Sequence, residues 1–382
     1  MGARHRPGRR PVPGAARGAA AGDRSVARGV IRRGACRAVC LLAALAASGC
    51  ASLAERIAQP RGQPIFDAKS LSDIERAWGL EKGEVTTEEG VRIAYYHVPA
   101  ADRGYAYTLQ KHGNYASTNF GVGHAPKPTP VRGTIVYLHG WGMDGTSLLP
   151  WAMQFAEHGY QGYALDLRNF GRSSRASQGF GPREAADVVA VLEQLQARGD
   201  LHPTVFLFGV SLGASTALFA EPALRGRIDG IVALEPFVNA AEAIRGTVRG
   251  TLDGTPEGLA GRLKLMIANW RFPASGDADA IREAGELLGL DLAQVDLRPV
   301  VPGSSTCTLL LHGAADSWLD PAASRELAAL SPMIRFTAVP RMGHMLLPVR
   351  IDWLAAPIGH WLGETRAKNC AGFELPPDPV DP

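Results

Sequence analysis

Val205-Phe206-Leu207-Phe208-Gly209-Val210-Ser211-Leu212-Gly213 is the stretch on which the fold turns. Its first four residues are continuously apolar, as expected of a strand buried on both faces. Gly209 and Gly213 flank Ser211 in the pattern G-x-S-x-G, and the small-residue run from Ala214 to Ala220 continues as a helix. Strand, tight turn and helix in that order hold a serine at a strained corner. The following helix N-terminus favours negative charge developing there. Glycines suit the flanking positions because side chains would collide with neighbouring backbone.

Working outward, the same alternation repeats on both sides. Thr134–Leu138, Gly159–Leu165, Ile228–Leu234, Thr308–Leu311 and Ile334–Val339 read as further strands. Helical spacing occupies Leu148–His158, Arg183–Arg198, Ser324–Leu330 and Ile351–Leu362. Strands alternating with helices predict a mostly parallel, doubly wound α/β sheet covered on both faces. One interruption, 236–305, is largely helical, with Leu259, Leu263, Ile267 and Trp270 at helical spacing, and reads as a lid over the C-terminal edge of the sheet. Upstream, Val91–Val98 and Tyr105–Leu109 read as a hairpin, 110–132 as a long loop, and Leu71–Trp78 as a helix capped by Ser70. The expected organisation is a signal segment (1–49), a lead-in (50–85), a core in two parts (86–235 and 306–364) around the lid (236–305), and a disordered tail (365–382).

The 382 residues are 46% hydrophobic and 20% charged, a composition too apolar for a disordered chain. Residues 1–49 hold ten Arg against the single acid Asp23. Setting those aside leaves 30 basic and 36 acidic residues, a net of −6, so nucleic acid is not an expected partner. Arg32, Arg33 and Arg37 precede an apolar run from Ala38 to Ala47, which ends in Ser48-Gly49-Cys50. A basic segment, a short apolar run and small residues make a secretory signal. The small residues before Cys50 resemble a bacterial lipobox, although Ala47 stands where Leu is commoner. The resemblance implies cleavage before Cys50, lipidation of that residue, and a location on the membrane of the cell envelope facing the periplasm; secretion is the alternative. Of the remaining thiols, Cys307 lies in an apolar run and Cys370 in a polar tail, so they are not expected to pair.

Three further segments carry chemistry. His139-Gly140-Trp141-Gly142 follows the first buried strand, where glycines let backbone N–H groups approach a substrate oxygen. The N–H groups of Trp141 and Leu212 are the expected pair for an oxyanion. Asp316 follows the fifth strand and His344 the sixth, placing both on the same edge as Ser211. A serine needs a base titrating near neutrality, which histidine supplies, and a carboxylate to orient that base. Asp320, and Glu235 closing the fourth strand, are alternative acids. His139 and His312 read as structural hydrogen-bonders.

The order Ser211, Asp316, His344 and the segments around it resemble an α/β-hydrolase of the lysophospholipase or serine-aminopeptidase-like branch, over residues 90–364. Asp166-Leu167-Arg168-Asn169-Phe170-Gly171-Arg172-Ser173 resembles that family's D-x-R-G-x-G-x-S loop, with Asn169 replacing the first Gly, and Asp166 is taken as structural. The resemblance implies a serine hydrolase acting on a small-molecule ester or lipid through an acyl-enzyme, with no cofactor or metal. An acyltransferase, an aminopeptidase or amidase, and a non-catalytic binding protein are the rivals. Dehalogenating members use an Asp nucleophile and are disfavoured by the serine.

Overall fold

The computed structural model describes residues 52–380 apart from 61, 63, 113–114, 253–261, 264, 267, 269–272 and 366–368. The expected signal segment, Cys50, and Leu259, Ile267 and Trp270 of the expected lid stripe lie outside the described residues.

The sheet grows from β5 (Gly133–Leu138), β6 (Tyr160–Leu165), β7 (Val205–Val210), β8 (Gly230–Leu234), β9 (Cys307–Gly313) and β10 (Ile334–Val339), all mutually parallel. Two antiparallel strands, β1 (Glu81–Thr86) and β2 (Arg92–Val98), extend one side, giving the order β1-β2-β6-β5-β7-β8-β9-β10. The continuous apolar runs follow from double coverage. Val205 and Leu207 enter the core on one face of the sheet, Phe206 and Phe208 the core on the other. Burying each such side chain stabilises by about 1.5–3 kcal/mol. The α/β-hydrolase architecture expected from the sequence is therefore present.

The helices that matter here are α1 (Leu53–Ala58), α2 (Ala68–Trp78), α4 (Pro182–Arg198) and α5 (Leu212–Leu224), with α6 (Ala240–Leu252) and α7 (Asp277–Leu288) in the insertion. Between α2 and α4 lies α3 (Leu149–Ala156); α8 (Pro321–Ala329) and α9 (Ile351–Glu364) follow the insertion. The lead-in is not separate from the rest. Residues Ala54, Ile57 and Ala58 of α1 share a core with Ile281, Ala284 and Leu288 of α7, and β1 belongs to the main sheet. The cap of α2 is Asp67, whose carboxylate accepts from Ser70 N at 2.9 Å, so the expected cap Ser70 lies inside the helix.

Three expectations are corrected. The segment after β2 does not pair with it: β3 (Ala106–His112), expected as a strand over Tyr105–Leu109, pairs instead with β4 (Tyr115–Gly121), which lies inside the stretch read as loop. The many polar residues of β3 and β4 hid the alternation, because only one face of this two-stranded ribbon packs on the core. Cys307 and Cys370 form a disulfide with a 63-residue separation. The described part of the tail is held rather than disordered. Asp378 meets the buried Arg350 guanidinium at 2.6 and 2.9 Å, and Trp353 Nε1 donates to Pro376 O at 2.9 Å.

Closing a loop of this length restricts the unfolded chain, typically by about 2–4 kcal/mol. Reduction, or Cys370→Ala, is therefore expected to lower the melting temperature by several degrees, measured by differential scanning calorimetry. An unchanged transition under full reduction would refute the contribution.

Candidate functional site

Ser211 stands between β7 and α5 with φ 52° and ψ −113°, a conformation strained for a residue with a Cβ. Its N–H donates to Leu234 O of the neighbouring strand at 2.9 Å. The two flanking glycines make this corner possible. A Cβ on Gly213 would lie 2.0 Å from Leu138 O, and one on Gly209 would lie 2.4 Å from the Gly213 carbonyl. One turn into α5, the Ser215 hydroxyl accepts from Phe237 N and donates to Phe237 O, each at 2.9 Å. The start of the helix is thereby pinned to the loop leaving β8.

His344 and Asp316 arrive on the loops after β10 and β9, as expected of parallel strands that end at one edge. His344 Nε2 lies 3.1 Å from Ser211 Oγ, and His344 Nδ1 lies 2.8 Å from Asp316 Oδ2. The Asp316 carboxylate receives four donors. Trp318 N and Leu319 N reach Oδ1 at 2.8 and 3.0 Å; His344 Nδ1 and His312 Nε2 (3.1 Å) share Oδ2. Burial alone would raise its pKa, but the two histidines and the Leu319 amide outweigh that and hold the carboxyl well below the usual range. His312 is structural in the sense expected: its Nδ1 meets the Ser324 hydroxyl at 2.8 Å. His139 likewise spends both ring nitrogens on backbone, at Gly140 O and Leu167 N.

Of the alternative acids, Asp320 turns away. It caps α8 through Ala322 N at 2.9 Å. Glu235 is fully buried at φ 53°, with Oε1 accepting from Gly313 N at 3.3 Å and Oε2 3.5 Å from His344 Nδ1. Burial, reinforced by the Asp316 charge and opposed only by the Gly313 N–H, keeps this carboxyl well above the usual carboxylate range.

The glycine turn after β5 brings the expected donors close. Met143 N bonds Gly140 O at 3.2 Å, and Gly142 takes φ 76° in the third position. Gly140 comes so near the corner that a Cβ there would sit 3.7 Å from Ser211 Cβ. Leu212 opens α5, where the first N–H groups have no acceptor within the helix. Trp141, Leu212, Ser211 and His344 all face one cavity of about 280 Å³, whose remaining walls are mostly apolar.

Several wall residues were not legible beforehand. Ile57, Pro64 and Ile65 of the lead-in line the cavity, and Gln178 ties that segment to the glycine turn after β5. Its Nε2 donates to Ile57 O at 2.6 Å while its Oε1 accepts from Trp141 Nε1 at 3.2 Å. Trp318 lies 5.3 Å, centroid to centroid, from the His344 ring. Helix α6 presses on it so closely that Cβ atoms on Gly246 and Gly250 would fall 2.0 Å from Trp318 O and 2.3 Å from its Cδ1. The i, i+4 spacing of these glycines was the available signal, since glycine inside a helix costs stability and calls for a packing reason. Asp166 is structural: its carboxylate accepts from Gly145 N at 2.8 Å and Arg172 N at 3.0 Å. Asn169 takes φ 71°, which explains how it replaces glycine.

Comparison with known proteins identifies the family and agrees with the fold. A family model described as "Alpha/beta hydrolase family" matches residues 135–356. A non-heme chloroperoxidase of Burkholderia pyrrocinia is 30% identical over 260 residues, 59% of this chain and 89% of that protein. An esterase of Pyrococcus furiosus superposes in two crystal structures. One has a TM-score of 0.51 at 15% identity, covering 81% of this chain and 99% of that one. The other has a TM-score of 0.54 at 14% identity, covering 81% and 98%. At such identity the likeness concerns the fold.

The buried Glu235 has a consequence for stability. Its folded-state pKa is raised, so the folded protein holds a proton that the unfolded chain gives up above about pH 4.3. Stability from this group is complete below that value and declines as pH rises toward the folded pKa, by about 1.4 kcal/mol per pH unit within the window. Glu235→Gln keeps the acceptor for Gly313 N and removes the titration. Its melting temperature relative to wild type is expected to climb between pH 5 and pH 8. A flat difference across that range would refute the buried neutral carboxyl.

Proposed function

This chain belongs to the alpha/beta hydrolase family, and we propose that it is a serine hydrolase cleaving carboxylic esters. The observation that carries the reading is the unbroken path Ser211 Oγ, His344 Nε2, His344 Nδ1, Asp316 Oδ2, with contacts of 3.1 and 2.8 Å at its two ends. The Ser211 oxygen attacks the acyl carbon as its proton passes to His344. Asp316 stabilises the imidazolium, and the Trp141 and Leu212 N–H groups hold the oxyanion. The imidazolium then protonates the departing alkoxide. Water, deprotonated by His344, attacks the acyl-enzyme and releases the acid and Ser211.

The apolar cavity favours an acyl chain over a charged peptide terminus, which supports an ester rather than an aminoacyl substrate. We further propose that the mature protein starts at Cys50, is lipidated there, and resides on the envelope membrane facing the periplasm. A disulfide is characteristic of oxidising compartments, and Cys307–Cys370 supports export. No helix among the described residues is long and apolar enough to cross a membrane. In this reading attachment rests on Cys50, whose acyl chains each gain about 0.8 kcal/mol per buried CH₂.

Ser211→Ala is expected to leave the melting temperature near that of wild type and to lower turnover of short p-nitrophenyl esters by on the order of 10⁴–10⁶. Near-normal turnover by the folded variant would end the assignment. Chloroperoxidase activity, the name carried by the 30% relative, is assayed in parallel, and ester turnover without it favours the present reading. For the anchor, Cys50→Ser should move the protein from the membrane pellet to the soluble fraction after ultracentrifugation; retention in the pellet refutes it.

A further inference from the structure

Two carboxyl groups, each just past the end of a different strand, face the Nδ1 edge of one imidazole. Asp316 lies 2.8 Å from His344 Nδ1 and Glu235 lies 3.5 Å from it. Ligand-type oxygens of both acids and a ring nitrogen of His344 all fall within 4.8 Å of one another. The Glu235 side chain is completely buried, and its Oε2 has no hydrogen-bond partner. The residue follows β8 directly, in the left-handed region at φ 53°, with its N–H donating to Leu311 O of β9 at 2.8 Å. Such backbone strain concentrates at functional positions. A buried, unpaired, strained acid beside the imidazole needs a reason.

We infer that Glu235 is a second acid for His344, silent while Asp316 carries the charge and able to replace it when that charge is removed. The inference rests on the proposed Ser211 hydrolase. The two carboxyls compete for one negative charge, because like charges in a buried site cannot both ionise cheaply. Asp316 wins through its four donors, against the single Gly313 N–H offered to Glu235. The groups facing Glu235 are few. Asp316 comes from the loop after β9 and His344 from the loop after β10, while His312, at the end of β9, binds the same Asp316 Oδ2 as His344. Removing the Asp316 carboxyl deletes both the better acceptor and the repelling charge. The Nδ1–H of His344 then faces one acid, and the imidazolium formed on attack by Ser211 finds its counter-charge on Glu235. Direct transfer is not required: the carboxylate orients and stabilises the ring, as a positioning residue.

The test compares Asp316→Ala with Asp316→Ala/Glu235→Ala, by p-nitrophenyl butyrate turnover and fluorophosphonate acylation of Ser211, each across pH 5–10. Alanine is chosen because an asparagine amide at 316 would donate to Nδ1 and enforce the wrong tautomer. The single variant is expected to retain turnover on the order of 100-fold above the double variant, consistent with the weight of an oriented base. Its pH profile should gain an ascending limb, the ionisation of Glu235, that the double variant lacks. Equal rates and superimposable profiles overturn the inference while leaving the wild-type chemistry intact. Wild-type turnover that survives Ser211→Ala overturns the hydrolase reading and this inference with it. Should the alanine variant fail to fold, Asp316→Ser keeps an acceptor near the Trp318 and Leu319 amides and is read the same way.

Discussion

The contact between Gly213 and the carbonyl of Leu138 is the constraint on which the site depends. A helix can start this close to the end of a neighbouring strand only where a hydrogen replaces a side chain. That closeness sets the direction in which α5 leaves β7 and forces Ser211 into its strained backbone. It also brings the Gly140 turn within touching distance of the serine. The placements of Ser211, the helix N-terminus and the glycine turn are thus consequences of one packing decision, and the surrounding sheet, buried on both faces, supplies the rigidity to hold it.

A second constraint is electrostatic. The imidazole of His344 is oriented by a carboxylate that cannot easily be neutralised, since four donors converge on Asp316. Charge is thereby favoured on one acid of an adjacent pair, while burial and the Asp316 charge push the Glu235 carboxyl toward its protonated form. Positioning by the Trp318 ring complements this, because an aromatic face beside His344 limits the ring to the plane that serves both Ser211 and Asp316.

The parallel sheet was readable because both its faces are covered, which leaves strands as unbroken apolar runs bounded by glycine. Ser211 and Asp316 were readable because each follows such a run, and His344 because it follows the mixed strand β10 beside them, so that strand direction carries all three to one edge. Where burial is one-sided or contacts are distant in sequence, the reading failed. The polar strand β4 passed for a loop, and β3 was matched to the wrong partner. The Cys307–Cys370 bond joins an apolar strand to a polar tail, a pairing that local composition argues against and only the fold reveals. Trp318, Gln178 and the lead-in wall of the cavity share that character, since their roles arise from neighbours more than a hundred residues away or from a helix seated across the sheet edge.

The fit of α6 onto Trp318 limits how this enzyme can diversify. Gly246 and Gly250 allow the insertion to rest backbone to backbone on a residue that itself rests on the histidine ring. A replacement segment with bulk at those two points would shove the indole, and the imidazole beyond it, out of register. Transplanting the roof of a homologue to change selectivity must therefore preserve a two-notch groove, whatever else is exchanged.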